Sequence, residues 1–310
     1  MAFNITDPVF HDEAKARAFI EAQRWPSGPI CPFCNGTEKL VRLGGEAAKR
    51  GLVLCQPCRK KFTVTVGTVM ERSHIPLTKW LMTFRLMSSS KKGVSAHQVH
   101  RMLGITYKSA WFLCHRVREA MGLDVNDTGP IGGEGKKVES DETFIGGKAK
   151  NVHNGKPAPK KRPVVALVER GGKLRAKHVA DVTAKTVREV LKEHVHPKSH
   201  LMTDDSLVYH WVGRDYPKHD AVNHSASEYV RGDAHVNTLE SFFAIVKRSL
   251  YGTFHAVSEQ HLQKYMTEAE FKWNHRSAKG IEDVARTNAV IRGTTGKRLT
   301  YRRINEAKDA

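Results

Sequence analysis

The sequence lacks any long apolar run, and this absence excludes a membrane-spanning helix, which needs about 20 consecutive apolar residues. The first stretch, MAFNITDPVFHDEAKARAFIE, contains acidic residues and has no apolar core of the kind that a secretory signal requires. We therefore expect a cytoplasmic protein without a membrane partner.

Acidic residues are few relative to basic ones, since 32 Asp and Glu stand against 51 Lys and Arg and leave a formal net charge of +19. Such a surplus attracts polyanions, and nucleic acid is the leading partner. An anionic membrane surface is a weaker choice, because no basic amphipathic helix with a rich apolar face stands out. The remaining alternative is a basic globular protein with no polyanionic partner.

Cysteine is also scarce, but four of the five cysteines form two C-x-x-C pairs, Cys31 with Cys34 and Cys55 with Cys58. The spacing between the pairs is typical of a four-thiolate zinc site, and tetrahedral Zn2+ in a structural role takes four ligands. Redox-active thiols are the alternative, but a redox motif uses one such pair in a βαβ unit. Cys114 lies among apolar residues and is expected in a core.

Glycine-containing breaks and changes of apolar spacing divide the chain. After the polar stretch DVNDTGPIGGEGKK, three strands, a helix, a strand and a helix follow in order, with RPVVALVER and KLRAKHVAD as a hairpin and Thr183 as a helix N-cap. This order predicts a mixed α/β domain. The expected divisions are an N-terminal helix with the cysteine module (1–70), a helical region (71–123), a linker (124–137), the α/β domain (138–280) and a basic C-terminal tail (281–310).

Residues 94–120 predict two helices joined by a short turn containing Gly104, which is typical of a helix-turn-helix motif that binds DNA. The second helix, TYKSAWFLCHRVREAM, would present its N-terminal end to the bases, and the basic tail would add phosphate contacts. The expected contacts are Tyr107, Lys108 and Ser109 to bases and Arg116, Arg118, Arg302 and Arg303 to phosphates. An ordinary helical linker domain is the alternative.

Three acidic residues lie where a cation site is expected: Asp141 in the strand VESDETFIGG, Asp204 at the end of HLMTDD, and Glu240 in the helix HVNTLESFFAIVKR. Carboxylates from separate elements favour hard divalent cations, Mg2+ above all. Two ions about 3.5–4 Å apart could bind the attacking and leaving oxygens of a phosphoryl transfer. An Asp at a strand end is, however, usually a cap or a turn residue. The acidic neighbours that compete for these roles are Glu139 and Glu142 with Asp141, and Asp205 with Asp204.

Glu240 has a specific alternative role, since it lies three residues after Asn237 and the two could form a capping box at the start of the helix. At about 100° per residue, Glu240 and Lys247 lie about 20° apart, beside the apolar stripe of this helix. Both can therefore face one cleft, where Lys247 could bind a phosphate. The alternative for Lys247 is a solvated side chain.

Four features of the chain form a familiar pattern: ESDETFIGG, MTDD, the block from His235 to Arg276, and the four-cysteine module. Together they resemble bacterial insertion-sequence transposases, in particular the family named after insertion sequence fifteen-ninety-five, the ISXO-two-like group. The resemblance covers the chain from about Cys31 to Arg276. It implies an N-terminal zinc ribbon and a ribonuclease-H-like catalytic domain of the α/β class, with a mixed sheet flanked by helices.

The resemblance also implies a catalytic triad of Asp141, Asp204 and Glu240 that holds Mg2+ or Mn2+, with Lys247 as the accompanying basic residue. The implied reaction is hydrolysis at the transposon ends, followed by attack of the freed 3′-hydroxyl on target DNA. Neither step needs a covalent enzyme intermediate, as expected for a site built from acids.

Two secondary site residues follow from the same resemblance. Some members of the family are described with Asn in the third acidic role, which makes Asn237 a secondary residue, and Asp205 replaces the glycine that often follows the second acid. The implied partner is double-stranded DNA, as terminal inverted repeats and as target, bound by at least a homodimer associated with the bacterial nucleoid. Two other functions stay open: a catalytically inactive, transposase-derived DNA-binding regulator, and a ribonuclease-H-like structure-specific nuclease.

Overall fold

The computed structural model describes residues 4–122, 129–147, 160–223 and 230–300. The chain divides into two compact units, one formed by residues 1–122 with 275–310 and the other by residues 123–274. Arg302, Arg303 and part of the expected linker lie outside the described residues. Within the described ranges, no helix is long and apolar enough to cross a membrane.

The elements are numbered in chain order. The described helices are α1 (Glu13–Arg24), α2 (Gly45–Lys49), α3 (Leu77–Ser89), α4 (Ala96–Leu103), α5 (Tyr107–Ala120), α6 (Ala184–His194), α7 (Leu207–Val212), α8 (Asn237–Ser249), α9 (Glu259–Asn274) and α10 (Asp283–Arg292). The described strands are β1 (Leu40–Arg42), β2 (Val53–Cys55), β3 (Lys60–Phe62), β4 (Lys137–Ile145), β5 (Arg162–Glu169), β6 (Leu174–His178), β7 (His200–Asp204) and β8 (Lys218–Val222).

In the first unit, side-chain caps fix the starts of the helices and apolar packing holds them together. The Asp12 carboxylate accepts a hydrogen bond from the backbone nitrogen of Lys15 at 3.0 Å and so caps α1. The Glu13 carboxylate accepts from the backbone nitrogens of Leu77 at 2.8 Å and Thr78 at 3.2 Å, so α1 also caps the first turn of α3. The buried apolar residues of α3 are Leu77, Trp80, Leu81, Phe84 and Met87.

The segment expected to be a basic tail, residues 281–310, contains the helix α10. Its side chains Val290 and Ile291 are fully buried, and the hydroxyl groups of Thr287 and Ser88 lie 3.0 Å apart where α10 packs against α3. This apolar face places the C-terminal segment in the same unit as residues 1–122. The expected division at residue 280 treats the C-terminal segment as a separate tail, whereas this packing joins it to parts of the chain that are far away in sequence.

The second unit is built on one five-stranded sheet with the strand order β6-β5-β4-β7-β8. β4, β5 and β6 are antiparallel neighbours, with the predicted hairpin between β5 and β6, whereas β4, β7 and β8 run parallel. β4 therefore lies at the centre, with an antiparallel neighbour on one side and a parallel neighbour on the other. Thr183 caps α6, as predicted, by accepting from the backbone nitrogen of Thr186.

Helices cover both faces of this sheet, because alternate residues of the central strands point to opposite sides. One core joins the sheet to α8 and α9, and the other joins it to α6 and α7. The first core includes Val164, Ala166, Val168, Leu239, Phe242, Val246 and Met266, and the second includes Val165, Leu167, Val187, Leu191, Leu201 and Tyr209. The predicted α/β class, with a mixed sheet flanked by helices, is confirmed.

A substitution at Gly293, just after α10, tests how closely the C-terminal segment approaches the end of α5 within the first unit. A Cβ atom at this position would lie 2.3 Å from the carbonyl oxygen of Ala120, which is backbone and cannot swing away. We expect Gly293→Ala to destabilise the first unit by roughly 1–3 kcal/mol, as overpacking does. The midpoint of thermal unfolding measures this. Gly44→Ala is the control, since a Cβ there meets nothing within 4 Å, and equal midpoints for the two variants would contradict the close approach.

Candidate metal centres

The four paired cysteines come together in the first unit. The Sγ atoms of Cys31 and Cys58 lie 3.6 Å apart, as do those of Cys34 and Cys55, and all four lie within 4.8 Å of one another. Tetrahedral Zn2+ with Zn–S bonds of about 2.3 Å separates its sulfur ligands by about 3.8 Å. The cluster therefore fits one zinc ion with no open position. The remaining cysteine, Cys114, is buried in α5, as predicted for a core residue.

In the second unit, the parallel pairing of β4 with β7 sets the place of two acids. Glu139 lies opposite Met202 in this register. Two residues further along each strand come Asp141 and Asp204, and side chains two residues apart on a strand share a face. Asp141 and Asp204 therefore lie on the same face of neighbouring strands, two residues beyond the last paired positions. This is the face that α8 covers, because the Glu139 carboxylate contacts Thr238 in the first turn of α8.

The electrostatics of Asp141 show which acids surround it. Burial is the largest cause, and together with the negative charges of Glu142, Asp204 and Glu240 it raises the pKa of the Asp141 carboxyl to about 7. The Glu142 backbone nitrogen opposes this shift by donating a hydrogen bond to Asp141 at 2.7 Å. Asp204 and Glu240 thus both lie within electrostatic reach of Asp141. A divalent cation would remove the like-charge repulsion that disfavours the ionised form of Asp141.

The spacing of these acids limits how they could hold a cation. Among the described residues, the cysteines are the one set of three or more metal-ligating side chains whose ligand atoms lie within 4.8 Å of one another. Asp141, Asp204 and Glu240 are therefore more widely spaced than the ligands of a single closed site. Their oxygen donors and their shared negative charge fit hard divalent cations.

Glu240 lies on an exposed part of α8, and Lys247, two turns later, is half-buried. Asn237 is the first residue of α8 and is exposed, while the N-cap position is Val236, which has no capping side chain. The capping box with Asn237 as its N-cap, which the sequence left open as an alternative, is therefore not the arrangement at the start of α8. The first turn is instead capped by Glu139 from β4, which no local sequence pattern indicates, because Glu139 is remote along the chain.

The neighbouring acids have other contacts. Glu139 is fully buried, and its carboxylate accepts a hydrogen bond from the Arg170 guanidinium at 2.8 Å. Asp205 is exposed and accepts a hydrogen bond from the Asn223 amide at 2.9 Å. Glu139 thus stabilises the packing of α8 on β4, and Asp205 lies at the surface beyond the end of β7.

Glu142 and Tyr209 form a polar group beneath the acids that the sequence did not single out as a unit. Tyr209 is fully buried, and its hydroxyl lies 3.2 Å from the Ser140 hydroxyl and bonds to Glu142. Burial and the charge of Asp204 raise the pKa of Glu142, against the bond from Tyr209, which lowers it. The tyrosine anchors α7, which directly follows Asp204 and Asp205 in the chain.

The predicted DNA-binding helices are present in the first unit. α4 and α5 pack together across a turn in which Gly104 adopts a left-handed conformation with φ of 58°, and Thr106 caps α5 by accepting from the Ser109 backbone nitrogen. Tyr107 and Lys108 are exposed and Ser109 is half-buried. The N-terminal end of α5 is therefore open to a ligand.

The two arginines expected to bind phosphate in α5 are less accessible. Arg116 is half-buried and donates to the carbonyl oxygens of Glu71 and Leu299, at 3.3 Å each. Arg118 is only 3% exposed. The burial of Arg118 argues against a phosphate contact, because a guanidinium in the interior cannot reach the DNA backbone without unfolding its surroundings.

A cysteine variant tests the zinc site. We expect Cys31→Ser to lose bound zinc, because a structural site takes four thiolates and this one is buried. Atomic absorption on the purified chain measures the zinc content. Cys114→Ala, which changes the cysteine outside the cluster, should retain one zinc per chain. Equal zinc content in wild type and Cys31→Ser would contradict the assignment.

The raised pKa of Asp141 predicts how stability depends on pH. The folded chain holds this proton up to about pH 7, against the ordinary value of 3.8, so the carboxyl lowers stability progressively as pH rises between these values. Without added divalent cations, Asp141→Asn should therefore unfold at a higher temperature than wild type at pH 8, by a few degrees. The difference should vanish near pH 4. Circular dichroism melts check this, with the exposed Asp205→Asn as the control.

Comparisons with known proteins find matches in both units of the chain. Residues 132–274 match the family model described as ISXO2-like transposase domain, and residues 11–61 match the one described as transposase zinc-ribbon domain. The chain is 28% identical over 277 residues to an uncharacterized protein in transposable element ISH50 of Halobacterium salinarum, covering 83% of this chain and 90% of that protein. It is 26% identical over 101 residues to an uncharacterized transposase-like protein of Haemophilus influenzae, covering 33% and 80% respectively.

The two family models together match more than half of the chain, including the cysteine cluster and all three acids of the second unit. The resemblance seen in the sequence is thereby confirmed. The chain belongs to the insertion-sequence transposases of the ISXO2-like family, with a transposase zinc ribbon in its N-terminal region.

Proposed function

We propose that this protein is an active DNA transposase, which binds the terminal inverted repeats of its element, hydrolyses a phosphodiester bond at each end and joins the freed 3′-hydroxyl to target DNA. The observation that carries the proposal is that Asp141 and Asp204 share one face of neighbouring parallel strands, with Asp204 and Glu240 both in electrostatic reach of Asp141. The surplus of basic residues, which leaves a net charge of +19, suits a DNA substrate.

The proposed catalytic residues are Asp141, Asp204 and Glu240, which would hold two Mg2+ or Mn2+ ions. Such ions supply charge stabilisation at the attacking and leaving oxygens of an in-line displacement. The wide spacing of the three acids is compatible with two ions shared among them, since one closed site would need the ligands closer together. The mixed sheet flanked by helices supports a ribonuclease-H-like assignment for this unit.

The side chains around the triad have proposed supporting roles. Lys247 lies on the same side of α8 as Glu240 and would bind a phosphate of the DNA backbone as a point charge. Asn237, one turn before Glu240, and Asp205, directly after Asp204, remain secondary residues. The Asn223 side-chain amide donates a hydrogen bond to the Asp205 carboxylate at the surface. This contact occupies Asp205 and so favours Asp204 as the metal ligand.

DNA recognition is proposed for α4 and α5 as a helix-turn-helix motif. The exposed N-terminal end of α5, with Tyr107, Lys108 and Ser109, would contact bases. Arg116 in α5, and Arg302 and Arg303 near the C-terminus, would contribute phosphate contacts. Bringing two transposon ends together requires at least a homodimer, and a cytoplasmic, nucleoid-associated location follows from the substrate.

Variants of the triad test the proposed chemistry. We expect Asp204→Asn and Glu240→Gln to lower Mg2+-dependent cleavage of DNA carrying the element's ends by more than the roughly 10–100-fold that follows loss of a group merely supporting a ligand. Glu189→Gln, which changes an exposed acid on α6 outside the proposed site, should cleave nearly as well as wild type. A gel assay on labelled end fragments measures the rates, and binding of the same fragments shows that each variant remains folded.

The outcomes separate the alternatives. Cleavage at wild-type rates in Asp204→Asn would refute the acidic site. Specific binding of the ends by the wild-type chain, with no cleavage in Mg2+ or Mn2+, would point to an inactive DNA-binding regulator. Cleavage that ignores the terminal repeats and follows DNA structure would point to a structure-specific nuclease.

A further inference from the structure

Glu139 makes an unusual set of contacts for a carboxylate with no exposed surface. Its Oε1 atom accepts from the Arg170 guanidinium at 2.8 Å and from the Thr238 hydroxyl at 2.9 Å. Its Oε2 atom accepts from the backbone nitrogens of Thr238 at 3.1 Å and Leu239 at 3.4 Å. Both oxygens thus accept hydrogen bonds: Oε1 from the Arg170 guanidinium and the Thr238 hydroxyl, and Oε2 from two backbone nitrogens in the first turn of α8.

Arg170 extends this set of contacts into the segment that leads to α8. Besides Glu139, its guanidinium donates to the carbonyl oxygens of Asp233 at 2.8 Å and His235 at 2.9 Å. One arginine therefore joins β4 to the approach to the helix. The His235 imidazole also lies 3.5 Å from Glu139 Oε1. We call Glu139 and Arg170, with these contacts, the β4–α8 clamp.

The clamp connects two of the proposed metal ligands by short stretches of backbone. Glu139 precedes Asp141 by two residues on the same face of β4, and the residues that it caps, Thr238 and Leu239, directly precede Glu240. One buried carboxylate thereby fixes the distance between the strand that carries Asp141 and the helix turn that carries Glu240. The Glu240 side chain is exposed, and the position of its backbone follows from this first turn of α8.

We propose that Glu139 and Arg170 are positioning residues, which hold Glu240 at the acidic site by clamping the first turn of α8 to β4. The proposal rests on the proposed function, since it gives Glu240 the role of a metal ligand. Glu139 itself is excluded as a ligand, because its oxygens are already engaged. Outer groups of this kind commonly alter metal affinity by about 10–100-fold.

The test measures Mn2+ binding by the full-length chain, from the electron paramagnetic resonance signal of free Mn2+. Glu139→Gln and Glu240→Gln should each weaken binding, on the order of 10-fold. The double variant should bind no more weakly than Glu240→Gln alone, since a group that acts only through Glu240 has no further effect once Glu240 is gone. Losses that multiply in the double variant would overturn the proposal.

A matched control separates positioning from general destabilisation. Glu270 on α9 is also a largely buried carboxylate, with Arg175 at 3.4 Å and the Ala176 backbone nitrogen at 3.0 Å, and so joins α9 to β6. We expect Glu270→Gln to lower the thermal midpoint without weakening Mn2+ binding. Equal weakening by Glu270→Gln and Glu139→Gln would show that any disturbance of this unit has the same effect, and would overturn the proposal.

Hydrogen exchange tests the clamp without any metal. The Thr238 amide lies in the first turn of α8, where backbone N–H groups have no partner within the helix, so its protection depends on Glu139. Its exchange should accelerate in Glu139→Gln and stay unchanged in Glu270→Gln. If wild type binds no Mn2+, the metal assignment of the proposed function fails. The clamp is then judged by exchange alone, and unchanged Thr238 protection in Glu139→Gln overturns it.

Discussion

The arrangement of the second unit depends on one buried carboxylate at the centre of its sheet. Glu139 lies on β4, which has an antiparallel neighbour on one side and a parallel neighbour on the other. Its bonds to Arg170 and to the first turn of α8 satisfy backbone donors that the helix cannot satisfy itself. Without this carboxylate, the backbone nitrogen of Thr238 would lose its acceptor and the Arg170 guanidinium would lose its opposite charge, and both losses are costly for groups that are partly or fully buried.

The parallel pairing of β4 and β7 adds a second constraint, because it places Asp141 and Asp204 on one face of neighbouring strands, within electrostatic reach. Partial burial of like charges raises the pKa of Asp141 to about 7. The fold therefore retains an arrangement that is unfavourable in the absence of a cation. Sites that bind cations and phosphates commonly concentrate charge in this way, at some cost to the stability of the empty protein.

The first unit reaches its organisation by different means. Its antiparallel sheet has only three short strands, in which Val53 and Phe62 are buried, and the four thiolates beside it would bind one zinc ion that adds to the stability of this small module. Around it, helices begin at side-chain caps such as Asp12 and Glu13 and pack through α3 and α10. α5 packs against α3 and α10, and its N-terminal end remains exposed. Arg118 from the same helix is buried.

The sequence by itself determined the features that depend on neighbours a few residues away. The C-x-x-C pairs, the Thr183 cap, the β5–β6 hairpin and the left-handed Gly104 follow from local spacing and backbone preference, and the three acids were found by their places in such elements. Only the tertiary structure decided which distant groups meet: the Glu139 cap on α8, the Tyr209 contact beneath the acids, and the burial of Arg118 and α10. Which side chains are buried and which distant residues meet depend on the packing of the whole unit, and this packing cannot be read from the spacing of residues within one element.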